Sequence, residues 1–438
     1  QNGYDVVINL APSSVLEGSV IHEAEILTAN KVKYIHIPVN FNNPVKDDFL
    51  LFVKNLNENK DKKIWIHCAA NMRVSAFVYK YRRDVLGLAE AFQMNWGNKT
   101  VTARWNHLFS DKLFSNFTYI NSGFDYSLGI PEGNNAFEWN SNIHNNILKN
   151  TYTWYANSNN TINFGLESAF HKFLPAEFLL LDTTSNTGIP SEIKLADRYA
   201  LENAVFVSNE MKIKKRLSLQ YGLRYSVFSN LSIDNDTILN YTDTYEVSED
   251  TSFYSKEFYN HYHGFEPRFS VNYKINESSS FKASYNRMRQ YLHLASNSSG
   301  GTPIDVWIPS SPNVRPQIAD QVAAGYFRNF KNNMFETSAE VYYKWLIDQI
   351  DFKDHALLLF NPALEGEIRT GSANSYGLEL YVRKQKGNLT GWISYTLSKT
   401  TRTVPEINDG KPYLASYDRR HNLAVVASYD LTDRLNIS

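Results

Sequence analysis

Residues 216–228, RLSLQYGLRYSVF, place Leu217, Leu219, Tyr221, Leu223, Tyr225 and Val227 on one side and Ser218, Gln220, Gly222, Arg224 and Ser226 on the other. A strict period of two over such a length demands a β-strand with one oily and one wet face. The alternation returns along the chain. Phe269, Val271, Tyr273 and Ile275 alternate with Ser270, Asn272 and Lys274; Phe335, Ala339, Val341, Tyr343 and Trp345 with Glu336, Ser338, Glu340 and Lys344. Leu423, Val425, Ala427 and Tyr429 repeat the pattern near the end. Short polar turns fall at 110–112, 157–160, 212–215, 276–279, 329–333, 384–387 and 430–434. Between successive hairpins the connections are long, over 172–197, 230–263, 293–317, 347–373 and 399–417. The two lengths alternate, giving about fourteen strands, the last truncated. A soluble domain rarely carries several connections this long. A barrel crossing an outer membrane has short turns at one rim and long loops at the other.

The wet face carries Arg, Glu, Lys, Gln and Ser, too polar for a dry core, and implies an interior filled by water or a plug. Rings cluster at strand ends, among them Trp96, Trp105, Phe109, Phe114, Trp154, Tyr155, Phe228, Tyr291, Trp345, Trp392 and Tyr395. Collectively they fit interfacial girdles; each alone is also an ordinary strand former. Aromatics make up 14% of a chain whose mean hydropathy is −0.41. No run approaches the roughly 18 apolar residues of a membrane helix, and a strand's signal is diluted by half. Lys plus Arg number 44 against 45 Asp plus Glu, so no net field draws nucleic acid.

The first ninety residues are different in kind. YDVVINL (4–10), VKYIHIPV (32–39) and KIWIHC (63–68) are continuous β-branched runs, as in strands buried on both faces of a parallel sheet. Helical candidates lie at 15–29 and 47–56, Asp47 being placed to cap the second. After Cys68, Val74, Phe77, Val78, Tyr81, Val85 and Leu86 fall at helical spacing. The stretch IHCAANMRVSA (66–76) thus stands at the carboxyl end of a strand where a helix begins, and there backbone N–H groups collect an anion and favour a thiolate.

These residues, with YIHIPVNFNNP before them, resemble the protein-tyrosine-phosphatase superfamily in a small dual-specificity-like branch. The resemblance implies Cys68 as nucleophile, Arg73 as phosphate clamp and Ser75 as the hydroxyl assisting thiol departure. Only four residues separate Cys68 from Arg73 where the pattern has five; no glycine lies between them, and Val74 holds the usual arginine slot. Asn40, Asn42 and Asn43 stand where the general-acid aspartate belongs, leaving Asp47 or Asp48 as more distant candidates. A structural cysteine in an inactive relative is the alternative reading.

A second resemblance covers 92–438. MNWGNKTVTARWNHLFSDKLFSN (94–116), FGLESAFHKFLP (164–175), GGTPIDVWIPSSPNVRPQIADQVAAGYFRNF (300–330), NSYGLELYVRK (374–384) and YDRRHNLAVVASYDLTDRLNIS (417–438) are similar to the barrel of TonB-dependent outer-membrane receptors. That family implies a 22-stranded barrel in outer-membrane lipid, an N-terminal plug, energised import through the TonB/ExbB/ExbD system, and a small-molecule or oligomeric nutrient ligand held by plug and loops. No plug or TonB box is legible, and both ends of the barrel segment read as cut.

The expectation is a mainly β chain: a large antiparallel transmembrane β-barrel, incomplete at about fourteen strands, over 92–438, preceded by a small α/β phosphatase-like domain over 1–90 that alone would be soluble. The joint, between about Leu88 and Phe92, has no linker, which suggests a fragment or chimera. Asp305 and Trp307, after Gly300–Gly301, are candidates to touch a ligand or to anchor their loop. His261 and His263 lack partners at metal-site spacing, so neither metal nor cofactor is expected.

Overall fold

The computed structural model describes residues 4–12, 22–40, 43–68, 72–87, 93–131, 136–181, 192–233, 235–242, 245–295, 306–353, 356, 361, 363–432 and 435–437. It divides into two compact units, Gln1–Ala91 and Phe92–Ser438.

The first unit is built on a three-stranded parallel sheet in the order β2-β1-β3, from β1 (Val6–Asn9), β2 (Lys33–His36) and β3 (Ile64–His67). Helices α1 (Glu23–Ala29), α2 (Lys46–Glu58) and α3 (Met72–Asp84) complete it. The apolar runs fill one core. Val6, Ile8, Leu10, Ile37 and Val39 pack with Phe49 and Phe52 of α2 and Phe77 of α3. The rings meet edge to face, Phe52 at 5.5 Å and Phe49 at 5.6 Å from Phe77. Asp47 is not the cap it was expected to be: α2 starts behind Val45, no side chain caps it, and Asp47 and Asp48 occupy the first turn. There their charge still favours the helix dipole. Helix α1 is the exception in this unit, since it buries no side chain.

The second unit opens with β4 (Gln93–Ser110), β5 (Leu113–Ile130), β6 (Phe137–Asn157), β7 (Asn160–Leu180), a short β8 (Glu192–Lys194), β9 (Arg198–Ile213) and β10 (Leu217–Leu231). The hairpin of β11 (Asn235–Tyr241) and β12 (Val247–Ser255) follows, then β13 (Phe258–Asn276) and β14 (Ser279–Gln290). A second loop hairpin pairs β15 (Leu292–Ala295) with β16 (Val306–Pro309). Then come β17 (Gln317–Phe330), β18 (Phe335–Phe352), β19 (Ile368–Lys384), β20 (Leu389–Thr403), β21 (Tyr413–Leu414), β22 (His421–Thr432) and β23 (Leu435–Ile437). One sheet runs β23-β22-β20-β19-β18-β17-β14-β13-β10-β9-β7-β6-β5-β4, with β21 beside β20 and β8 beside β7. Its neighbours are antiparallel throughout, and the path has the fourteen strands that the alternation implied. Among the described residues the sheet is open, with β4 and β23 at its edges.

Register converts each strand's alternation into two continuous faces, because directly opposed residues share a face. Phe164, Val207 and Leu223 form one outward row, and Leu166, Val205 and Tyr225 the next. The long connections are not structureless. Strands β7 and β18 run further than the polar pattern suggested, to Leu180 and Phe352, and two of the loops fold as hairpins of their own.

Candidate functional site

The outward face carries a recurrent tyrosine pattern. Tyr119 donates to Asn146 Oδ1 at 2.9 Å, Tyr285 to Asp320 Oδ1 at 2.7 Å and Tyr343 to Asn374 Oδ1 at 3.2 Å. Tyr225 and Tyr395 bond His263 Nδ1 at 3.1 Å and His421 Nδ1 at 2.7 Å. Each of these tyrosines sits about seven to nine residues past the short turn that starts its strand, a rise of roughly 20 Å along the membrane normal once strand tilt is counted, which keeps them near the far edge of the apolar band. Each hydroxyl meets a polar side chain of the next strand, as a ring at a lipid–headgroup boundary requires.

The opposite face is ionic. Arg224 lies 3.2 Å from Glu202, 3.6 Å from Glu266 and 3.7 Å from Glu167, and Lys149 is 3.2 Å from Glu167. Ser226 donates to Glu266 at 2.7 Å and meets the Tyr291 hydroxyl at 2.8 Å. Carboxylates and a guanidinium at this density keep their charge only beside water or polar partners, so this face lines a lumen.

At the long-loop end the connections fold into a roof. Ile308 and Val314 join Tyr126, Leu128, Trp139, Ala176 and Phe178, and Phe352, Leu364 and Ile368, in one apolar cluster. The segment from β15 to β17 therefore bridges strands that lie far apart in the sheet. Polar bonds fix it. His293, fully buried, bonds Ser310 Oγ through Nε2 at 2.9 Å and receives the Gln317 amide at Nδ1 at 2.8 Å. Burial pushes its pKa down to about 4. Asn230 donates to the Ser310 carbonyl and Tyr262 to that of Ser311, both at 2.8 Å. The β11–β12 hairpin adds a second lock. Arg369 stacks on Tyr245 at 3.7 Å and pairs with Glu406 at 2.6 Å, while a Cβ on Gly366 would stand 2.5 Å from the Tyr241 ring.

Trp307 belongs to this roof, packed against a cluster of Ile143, Phe173, Ala200, Phe228 and Tyr291; Asp305 lies outside the described residues. His293, Arg369 and Tyr241 carry no sequence signature, since their roles come from contacts between loops remote in the chain.

In the first unit Cys68 follows β3 directly and shares the core with Val74 and Val78 of α3. Residues 69–71 lie outside the described residues. Arg73, half-buried, and Ser75, exposed, fall in the first turn of α3, so the three candidates flank one strand-to-helix junction, where an anion is favoured. On the other face of β3, His67 Nε2 stands 2.7 Å from Glu23 Oε1. Glu23 Oε2 accepts from Asn9 Nδ2 at 2.9 Å and from the Tyr34 hydroxyl at 3.1 Å. Burial, foremost, pushes the Tyr34 hydroxyl's pKa up. Among the described residues no group of three His, Cys, Asp or Glu is arranged to hold a metal ion, and no helix is long and apolar enough to cross a membrane.

An antiparallel sheet with an oily, tyrosine-bounded outside, an ionic inside and a loop roof at one end defines a transmembrane β-barrel protein. The family described as TonB dependent receptor-like, β-barrel matches residues 70–436, and the chain belongs to that family of the outer membrane. Similar solved structures include the pyoverdine receptor FpvA of Pseudomonas aeruginosa PAO1, at 14% identity and a TM-score of 0.52 over 77% of this chain and 48% of that one. The copper transporter OprC is 13% identical with a TM-score of 0.55, over 78% of this chain and 52% of that one. The chain thus spans about half the length of the solved relatives it matches. A DUF442 protein of Shewanella putrefaciens CN-32 is 37% identical over 20% of this chain and 54% of its own, with a TM-score of 0.19. Among curated proteins no sequence matches this chain.

Proposed function

We propose that residues 92–438 form the wall of an outer-membrane receptor that imports a small or oligomeric nutrient with energy from the TonB/ExbB/ExbD system. The observation that carries this reading is the pairing of an ionic inner face with a bounded oily outer face. A pore wall needs the first and lipid needs the second. FpvA and OprC are named for pyoverdine and copper; for this chain the nutrient is left as a class, to be recognised at the loop roof around Trp307. The test is electrophoretic. Protein extracted from outer membranes in mild detergent is expected to run at different positions before and after boiling. A single unchanged position overturns the reading.

Residues 1–90 support a second reading, carried by the junction that sets Cys68, Arg73 and Ser75 around the start of α3. We take them as a separate domain that hydrolyses a phosphomonoester. The Cys68 thiolate attacks phosphorus, an S–P bond forms and the P–O ester bond breaks. The leaving alcohol takes a proton, for which Asp47 and Asp48 are the candidates, and water then releases phosphate with Ser75 assisting the departing thiolate. Arg73 binds the phosphoryl oxygens. Aryl phosphate turnover by the full chain in detergent is expected to vanish in Cys68→Ser; turnover that persists, or is absent from the unmodified protein, removes this reading.

A further inference from the structure

We propose that the short-turn rim of the barrel wall binds anionic phospholipid headgroups at an outward patch around Arg328 and Lys384. The inference concerns the lipid around the wall and does not depend on import. Four turns concentrate positive charge here, those of β9–β10, β13–β14, β17–β18 and β19–β20, whose eight strands are contiguous in the sheet. Lys and Arg number four in 212–216, one in 274–279, two in 328–335 and three in 383–389, against the single acid Glu277, although the whole chain has a net charge of −1. On the inner wall Arg224 lies between three glutamates, so the protein supplies the counter-charge. At the rim, among the described residues, Arg328, Lys331, Lys384 and Lys386 have no acidic partner at ion-pair distance. Lys214 and Lys331 moreover stand at left-handed turn positions, φ 57° and 48°, where glycine or asparagine costs less. Positive charge is kept there against the backbone's preference.

Register turns part of this charge toward lipid. Phe330 opposes Phe335, which opposes Lys384; Arg328 opposes Thr337, which opposes Val382. Opposed residues share a face, and Phe335 and Thr337 lie on the same side of β18 as the outward Tyr343. Arg328 and Lys384 therefore stand on the oily side of the sheet, at its short-turn edge. The Arg328 guanidinium lies 4.7 Å over the Phe330 ring and the Lys331 ammonium 5.8 Å over that of Phe335. Phe330 is 40% exposed. A ring facing lipid beneath a cation suits the level where acyl chains give way to headgroups. Two ammonium heads are tied down: Lys384 Nζ donates to the Leu389 carbonyl at 2.7 Å, and Lys386 Nζ to the Asn332 carbonyl at 3.0 Å, across neighbouring turns. Each keeps two of its three donors for another acceptor, with part of the ordering already done. Phosphate oxygens beside exposed chains fit this arrangement, since they take charge-assisted bonds from above while the tails cover the rings. Short turns face the periplasm, so the lipid belongs to that leaflet.

The same rim provides a charge-matched control. Lys212 opposes Ser218 and Lys274 opposes Ser280, both on the wet face. The full chain is reconstituted in vesicles of phosphatidylcholine and phosphatidylglycerol in equal amounts and extracted in mild neutral detergent, and the lipids it retains are counted by native mass spectrometry. The unmodified chain is expected to retain phosphatidylglycerol in preference. Arg328→Gln with Lys384→Gln lowers that preference about fivefold per cation removed, about 1 kcal/mol each. Lys212→Gln with Lys274→Gln removes the same charge from the inward side and leaves it in place, as does Arg328→Lys with Lys384→Arg, which keeps the charge. Heat-modified mobility of each variant keeps loss of fold apart from loss of binding. No preference in the unmodified chain overturns the proposal. Equal loss in the outward and inward pairs also overturns it, marking a diffuse field of the rim and not a lipid patch. So does complete removal of the retained lipid by excess inorganic phosphate, which marks a site for free anions. Lipid retention is read without transport, so it stands or falls apart from the import reading.

Discussion

The same residue types meet opposite fates in the two units. Val6, Ile8 and Leu10 are at most 2% exposed, whereas Leu166, Val205 and Val207 are 50%, 58% and 51% exposed. Charge is reversed as well. The first unit keeps aliphatic and aromatic groups between sheet and helices, while the second places Arg224 and three glutamates on its inner face. The first unit is organised by water around a dry centre. In the second, the oily phase lies outside the sheet and the wet one inside, so what counts as buried depends on which solvent faces the strand.

Four predictions sharpen this contrast, in descending size. Phe52→Ala empties the centre of a three-ring cluster, and a loss of about 3–5 kcal/mol is expected in the first unit. Chemical denaturation followed by the reaction of Cys68, the only cysteine, with a thiol reagent reads it, and the barrel's heat-modified mobility stays put. Leu223→Arg places a charge on the lipid face and is expected to cost about 2–4 kcal/mol in folding into lipid vesicles; arginine on the inward face, Gln220→Arg, costs less because that face is already wet and charged. A small effect of Leu223→Arg breaks the contrast.

The loop roof predicts a pH dependence with a definite sign. His293 has a folded-state pKa of about 4, below its unfolded value of about 6.5. The unfolded form therefore binds more protons between those values, and stability is complete above about pH 6.5 and lost as pH falls toward 4. The loss is at most about 3 kcal/mol. Proteolysis of the 306–316 segment is expected to accelerate over that interval, and His293→Gln flattens the response. Smallest is Tyr225→Phe, which removes one boundary hydrogen bond and is expected to cost about 0.5–1.5 kcal/mol in the same vesicle assay.

Alternation made the second unit legible. From 217 to 227 each residue's face is written in its polarity, and the sheet repeats that assignment through register. The pattern failed where a strand rises out of lipid. Phe178, Leu179 and Leu180 break period two, and β7 includes them because Phe178 is covered by the loop cluster. The segments NDTILNY and VSEDTSFYS are short and polar enough to read as loop, yet they pair as a hairpin. The strand-to-helix junction after Cys68 was legible, whereas the close approach of Glu23 to His67 was not. The two residues are separated by the whole of β2 and α2, and only the sheet register brings them together.

The most direct test of the two-faced sheet is collisional accessibility. In a Cys68→Ser background, spin labels at single cysteine substitutions of residues 217–227 are read in vesicles against dissolved oxygen and a water-soluble nickel chelate. The account predicts two curves of period two in antiphase, with oxygen maxima at Leu219, Tyr221 and Leu223 and chelate maxima at Ser218, Gln220 and Arg224. Curves that rise and fall together, or show no alternation, contradict it.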